Sequence, residues 1–211
     1  MSSAATVSAV RKNIMTGGLK IGLLGGSFNP AHDGHRHISV EAIRRLGLDQ
    51  VWWLVSPQNP LKPTSGMAPF AERMANAKSA ARHPKIRPVD FESRHGTRYT
   101  AETLKQLKRV YPHHRFVWLM GADNLCQIPA WRNWRQIFQQ VPIAVINRPG
   151  YTYQALAGQA AQCFSAYRIK NSHGLINASA PAWCFLFTPL THLSATGIRN
   201  ARCNKDPNNV P

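Results

Sequence analysis

Acidic side chains are scarce in this chain: nine Asp and Glu stand against 26 Lys and Arg, leaving a formal net charge of +17 over 211 residues. So basic a balance favours anionic partners such as nucleotides, nucleic acid or acidic lipid. The arginines are scattered, however, which fits steering of an anionic substrate better than a nucleic-acid footprint. Long apolar runs are missing too. Nothing approaches the ~20 residues that a membrane span requires, so we expect no membrane partner. Residues 1–19 have no apolar core of the kind a secretory signal carries. Their lack of any acid before Asp33 would also suit an organellar transit peptide, but a plain N-terminal tail is the simpler reading. The four cysteines, Cys126, Cys163, Cys184 and Cys203, contain no C-x-x-C pair. They make neither a zinc cluster nor a disulfide framework, and we read them as reduced, in a cytoplasmic protein. Two phosphate-binding fingerprints are absent as well. Neither G-x-G-x-x-G nor G-x-x-x-x-G-K-[ST] follows the first apolar run, which disfavours a redox dinucleotide fold and a P-loop NTPase. We find no repeat and no low-complexity segment.

With 44% apolar residues the chain can build a core, and its length suits one domain. We place that domain at residues 20–203, between flexible tails at 1–19 and 204–211. Apolar strands are expected at 20–24, 51–55, 86–91, 115–120, 141–146 and 183–187. Pro88 suggests an edge position for the third. Helical patterns fill 35–46, 70–82, 100–110 (with Thr100 as cap), 134–140 and 153–162, and a last helix runs through Arg202. Four prolines make 56–69 an irregular loop, and 166–179 reads as loop. Repeated strand–helix alternation predicts an α/β fold, a doubly wound parallel sheet with helices on both faces. In such sheets ligands bind beyond the carboxyl ends of the strands.

The most informative stretch is Gly25-Gly26-Ser27-Phe28-Asn29-Pro30-Ala31-His32-Asp33-Gly34-His35. A strand enters a glycine turn and a helix leaves it carrying two histidines three residues apart. Glycine lets the backbone approach a bulky anion, and a helix start offers unpaired N–H groups and a positive dipole end. His32 and His35 add donors on one face of the first turn. A zinc site would need a third ligand, and His37 points elsewhere on a helix. Near the other end of the chain, Ser194, Thr196 and Arg199 can cap a helix and donate to phosphate oxygens. A basic RNA-binding module is a rival of a different class, but no RRM, KH or zinc-knuckle pattern is visible.

His32-Asp33-Gly34-His35 resembles the HxGH signature of the Rossmann-like nucleotidyltransferase superfamily. Residues 193–199 are similar to its second signature, ISxxxIR, with Leu193 at the first position. Further segments occur in order: Arg98-Tyr99-Thr100-Ala101-Glu102-Thr103-Leu104, Gly121-Ala122-Asp123-Asn124-Leu125, Pro129-Ala130-Trp131 and Arg148-Pro149-Gly150-Tyr151. Together, over about residues 20–202, they resemble bacterial nicotinate-nucleotide adenylyltransferases. Ser27 and Asn29 stand where many relatives have Thr and Asp.

The resemblance implies transfer of the adenylyl group of ATP to nicotinate mononucleotide, giving nicotinate adenine dinucleotide and pyrophosphate. An acceptor phosphate has a second pKa of about 6 and is largely ionised at neutral pH. The reaction therefore needs alignment and charge neutralisation rather than a general base. By resemblance, His32, His35 and Arg199 are the catalytic set facing the ATP phosphates, with Ser194 and Thr196 on the β,γ end. Gly25, Gly26, Ser27 and Phe28 line the turn, and Gly121 and Asp123 lie near the adenosine. Tyr99 and Thr100 offer main-chain N–H groups to the nicotinate carboxylate, Trp131 lies against the pyridine ring, and Gln58, Asn59, Lys62 and Arg148 contact substrate. Mg²⁺ rides on the ATP phosphates and water rather than on protein ligands. Plainer roles stay open: Trp131 as a core aromatic like Trp52, Trp53 and Trp118, Tyr99 and Thr100 as a cap, Asp123 in an Asx turn, Gln58 and Asn59 as loop formers. The nearest rival acceptors are nicotinamide mononucleotide and phosphopantetheine. No specific nucleic-acid partner is expected, and oligomeric state is open.

Overall fold

The computed structural model describes residues 18–58 and 66–189. The expected helix through Arg202, the residues Asn59, Lys62, Ser194, Thr196 and Arg199, and almost all of both expected tails lie outside them. Six parallel strands form one sheet: β1 (Lys20–Gly26), β2 (Gln50–Val55), β3 (Ile86–Val89), β4 (Arg115–Gly121), β5 (Ile143–Ile146) and β6 (Trp183–Leu186). Their spatial order is β3-β2-β1-β4-β5-β6, so the winding reverses between β1 and β4 and a crevice opens beyond their carboxyl ends. The fold class expected from the sequence is the one observed. Pro88 does sit on an edge strand, opposite Trp53.

Alternation along the strands sends apolar side chains to both faces. Ile21, Leu23, Trp52, Leu54, Phe116, Trp118 and Met120 pack under the helices of one face. Leu24, Val51, Trp53, Val117 and Leu119 pack under those of the other. The second face carries α1 (Asp33–Leu46) and α2 (Phe70–Ala81). The first carries α3 (Phe91–His95), α4 (Thr100–Val110), α5 (Ala122–Gln127), α6 (Trp134–Gln140), α7 (Thr152–Ala157) and α8 (Gln159–Cys163).

Several boundaries differ from expectation. The third strand stops at Val89, because Phe91 turns its ring into the core and opens α3. Thr100 is the first helical residue of α4 rather than its cap; Tyr99 holds that position without a side-chain cap bond. The expected helix over 153–162 is two short helices broken at Gly158, whose backbone is extended. Strand β5 begins at Ile143 rather than residue 141. Residues 165–167 and 172–177 form 3-10 turns instead of open loop; the second inserts Leu175 and Ile176 into the core.

Candidate active site

The HxGH stretch folds as it does for a local reason. His32 is the N-cap of α1, and its Nδ1 accepts the Gly34 N–H at 3.1 Å. His35, three residues on, returns the favour: its Nδ1 accepts the His32 N–H at 3.2 Å. The pair forms a capping box with histidines in place of the usual Ser and Glu. Both Nδ1 atoms therefore act as acceptors, which assigns the proton of each neutral ring to Nε2. Burial and the positive charge of Arg148 hold His32 below the usual histidine range, against the opposing pull of Asp33. At neutral pH His32 is therefore an uncharged Nε2–H donor.

Aromatic rings fix the two imidazoles in place. Their centroids are 4.0 Å apart. His35 rests 4.7 Å from Phe28, which is stacked on Trp53 at 5.1 Å. The Trp53 indole N–H donates to the Ser39 hydroxyl, and that hydroxyl donates to the His35 carbonyl. Phe28 adopts φ 47°, a strained value for a residue with a side chain. Burial of its ring, 2% exposed, offsets that cost. Phe28 is thus a platform under His35, not an open lining of the turn.

Gly25 earns its place by close approach. A Cβ there would lie 2.5 Å from the Trp118 indole. The Ser27 carbonyl accepts from Arg73, whose guanidinium also reaches the carbonyls of Ser56, Pro57 and Ala68. Asn29 donates to the Gly66 carbonyl at 3.0 Å and accepts the Ala68 N–H at 3.3 Å. An aspartate at that position could not make the first of these bonds.

Beyond β1 and β4 lies a cavity of about 130 Å³. Its lining brings together Gly25, His35, Gly121, Asp123 and Arg148, five residues singled out in the sequence, from three separate segments. Asp123 and Arg148 form an ion pair across it. A Cβ on Gly121 would strike the Asp123 carboxylate. His37 also lines this cavity, with Nε2 3.0 Å from the Pro189 carbonyl, so it does not point elsewhere as the helical spacing suggested. No group of three metal-binding side chains exists among the described residues. Sequence reasoning missed Asn147 and Thr188. The Asn147 side chain accepts from the Thr188 amide and hydroxyl and donates to the Thr188 carbonyl, tying the carboxyl ends of β5 and β6 at the cavity wall. Each closes an apolar run, Asn147 directly after β5 and Thr188 two residues beyond β6, a signal too common to single them out.

A second cluster forms at the amino end of α4. The Arg132 guanidinium lies 4.6 Å over the Tyr99 ring, so the segments around Tyr99–Thr100 and Trp131, distant in sequence, meet in space. Trp131 is half-buried and packs against the core edge. Gln58 is exposed just after β2. A larger cavity, about 240 Å³, lies at the opposite end of the sheet among Lys108, Arg115 and Gln140. Lys108 and Arg115 there are engaged by the Gln140 carbonyl and Asn177.

A family model described as cytidylyltransferase-like matches residues 23–201. A protein of Parvibaculum lavamentivorans named "probable nicotinate-nucleotide adenylyltransferase" is 52% identical over 191 residues, covering 90% of this chain and 95% of that protein. One of the same name from Roseobacter denitrificans is 53% identical over 182 residues, covering 85% and 91%. Among solved structures, the Plasmodium falciparum nicotinic acid mononucleotide adenylyltransferase complexed with NaAD superposes with a TM-score of 0.63 at 20% identity, over 85% of this chain and 82% of that one. This last likeness is one of fold.

Proposed function

From the premise that this chain belongs to the cytidylyltransferase-like family, and within it to the nicotinate-nucleotide adenylyltransferases, we propose how it works. It is a nucleotidyltransferase of NAD biosynthesis. It moves the adenylyl group of ATP onto the phosphate of nicotinate mononucleotide, forming nicotinate adenine dinucleotide and releasing pyrophosphate. The geometry that carries the chemistry is the reciprocal cap of His32 and His35 at the start of α1. In this reading the cap presents its imidazole N–H donors, at a positive helix end, to the crevice where the strand order reverses; His35 lines the cavity there. The relatives supply the acceptor.

In this reading the acceptor phosphate, already ionised, attacks the α-phosphorus of ATP in line. A new P–O bond forms there, the bond to the β-phosphate breaks, and pyrophosphate leaves with the electron pair. His32 and His35 donate to oxygens on which charge develops, a role worth roughly 2–4 kcal/mol for a single well-placed donor. Ser194, Thr196 and Arg199 hold the departing end. Gly25, Gly26 and Ser27 bring main-chain groups close to the polyphosphate, and Asp123 with Arg148 walls the adenosine side. Tyr99, Thr100 and Trp131 take the nicotinate ring, with Gln58, Asn59 and Lys62 toward the acceptor phosphate. Asp123 is the single carboxylate in the cavity lining and is tied to Arg148. Magnesium would accordingly be held by the ATP phosphates and water rather than by protein ligands, and would supply charge neutralisation there. The compartment is cytoplasmic in this reading. Cys126, Cys163 and Cys184 carry free thiols, and no described helix is long and apolar enough to cross a membrane.

The test is pyrophosphate release from MgATP with nicotinate mononucleotide, nicotinamide mononucleotide and phosphopantetheine offered in parallel. The highest kcat/KM is expected with nicotinate mononucleotide. A preference for phosphopantetheine overturns the assignment.

A further inference from the structure

Only two charged side chains are buried among the described residues, Arg73 at 2% exposed and Glu92 at 7%. They lie on opposite faces of the sheet, on α2 and α3, and both meet Ser56, the residue that follows β2. Arg73 donates to the Ser56 carbonyl at 2.7 Å and to the Ser27 carbonyl at 2.6 Å. The Ser56 N–H donates to the Gly26 carbonyl at 2.9 Å. Ser56 is thus fastened twice to the glycine turn. Its hydroxyl in turn lies close enough to the Glu92 carboxyl to favour the ionised form. The same carboxyl accepts from the Thr103 hydroxyl at 3.3 Å. Thr103 lies in the first turn of α4, 3.0 Å from the Thr97 hydroxyl and 3.3 Å from the Tyr99 carbonyl. A continuous chain of polar contacts therefore runs from the phosphate turn, through Ser56 and Glu92, to the start of α4.

A carboxyl is an expensive choice for a buried link. Burial pushes Glu92 up to about 7, against the pull of the Ser56 and Thr103 hydroxyls, and its second oxygen has no partner. An apolar residue would fill the space at lower cost. What the carboxyl adds is direction: it fixes α4 against the end of β2 in one register.

We propose that Glu92 is a positioning residue for the transfer. Acting through Ser56 and Thr103, it holds the amino end of α4, where the acceptor's carboxylate is read, at a set distance from the turn that carries the polyphosphate. The proposal rests on the acceptor assignment made above, because it gives α4 the acceptor half of the site. Loss of the carboxyl then displaces the acceptor half while leaving the ATP half, anchored by Arg73, in place.

The experiment compares wild type, Glu92→Ala, Glu92→Gln and Thr103→Val for the KM of each substrate, kcat and Tm. Glu92→Ala is expected to raise the KM for nicotinate mononucleotide about tenfold and to lower kcat, with the KM for ATP within about twofold of wild type. Glu92→Gln, isosteric and able to accept the same hydroxyl, restores the acceptor KM to within about threefold. A Glu92→Ala enzyme with an unchanged acceptor KM, or with both KM values raised alike, overturns the proposal. So does failure of Glu92→Gln to rescue. If Glu92→Ala does not fold, the same split is read on Thr103→Val, which keeps side-chain volume and removes the donor. Failure of the acceptor assignment shows separately, as a wild-type enzyme that prefers another acceptor.

Discussion

His32 and Glu92 sit on opposite sides of the same electrostatic rule. For His32, the folded protein binds its proton less readily than the unfolded chain does. Its contribution to stability is therefore present above the unfolded value near 6.5 and is lost as pH falls. Protonation there would also add a hydrogen to Nδ1 and abolish the cap on Gly34. Activity is accordingly expected to fall on the acid side, together with helicity at the start of α1, as pH-rate profiles and hydrogen exchange at Gly34 can check. For Glu92 the sign is reversed. A rise from 4.5 to about 7 means that the fold binds this proton more tightly, so stability declines as pH climbs from about 4.5 through 7, by about 3 kcal/mol. Glu92→Gln removes that decline. Denaturant midpoints at pH 5 and pH 8 should differ less in the variant, and an unchanged difference would show that other groups set the slope. Substituting His35 by Ala removes the acceptor for the His32 N–H and, on the proposed mechanism, a donor to the phosphates. We expect kcat to fall by about 10²–10³, with a loss of about 1 kcal/mol in stability from the cap. A variant with near-normal turnover would remove His35 from the catalytic set.

At the scale of elements, the strands read cleanly because both of their faces are buried, so each appears as an unbroken apolar run such as Val51–Val55 or Phe116–Met120. Short helices read poorly. Helix α5 has six residues, too few for a periodic signal, and it forms because the Gly121 turn and core burial of Leu125 hold it. Gly158 interrupts a pattern that otherwise looked like one helix. The two halves of the site were unequally legible for a related reason. The His32–His35 cap is local, so its spacing shows in the sequence. The Ser56–Glu92–Thr103 chain joins three segments, and nothing in any one of them announces the other two. Gly25 was readable as a close-approach glycine, but not what approaches it. Gly25→Ala forces a methyl group against the buried, rigid Trp118 indole. We expect a loss of about 2 kcal/mol and weaker binding of an ATP analogue, measured by calorimetry, while Gly47→Ala on the far side of α1 leaves nucleotide affinity intact. Equal affinity in the two variants would separate the turn's packing from its ligand.

For the molecule as a whole, a charge of +17 surrounds substrates that carry several negative charges each. Attraction at long range raises encounter rates and is screened by salt. Accordingly kcat/KM for nicotinate mononucleotide is expected to drop several-fold between about 20 and 300 mM salt, whereas kcat stays nearly constant; a salt-insensitive kcat/KM would confine electrostatics to the site itself. The topology was legible from strand–helix alternation, and with it the crevice where ligands belong. Which polar groups after β5 and β6 form its wall was not, since Asn147 and Thr188 look like ordinary loop residues until the strands lie side by side.

The two outermost strands have a bearing on how the protein behaves in company. At one margin, β3 is four residues long and includes Pro88, which has no N–H to offer a newcomer. At the other, the Ile169 amide already occupies the Trp183 carbonyl on β6. Among the described residues one border is thus short and interrupted by proline and the other partly occupied, so crowding such molecules together gives them less opportunity to extend one another's ribbons into fibrils.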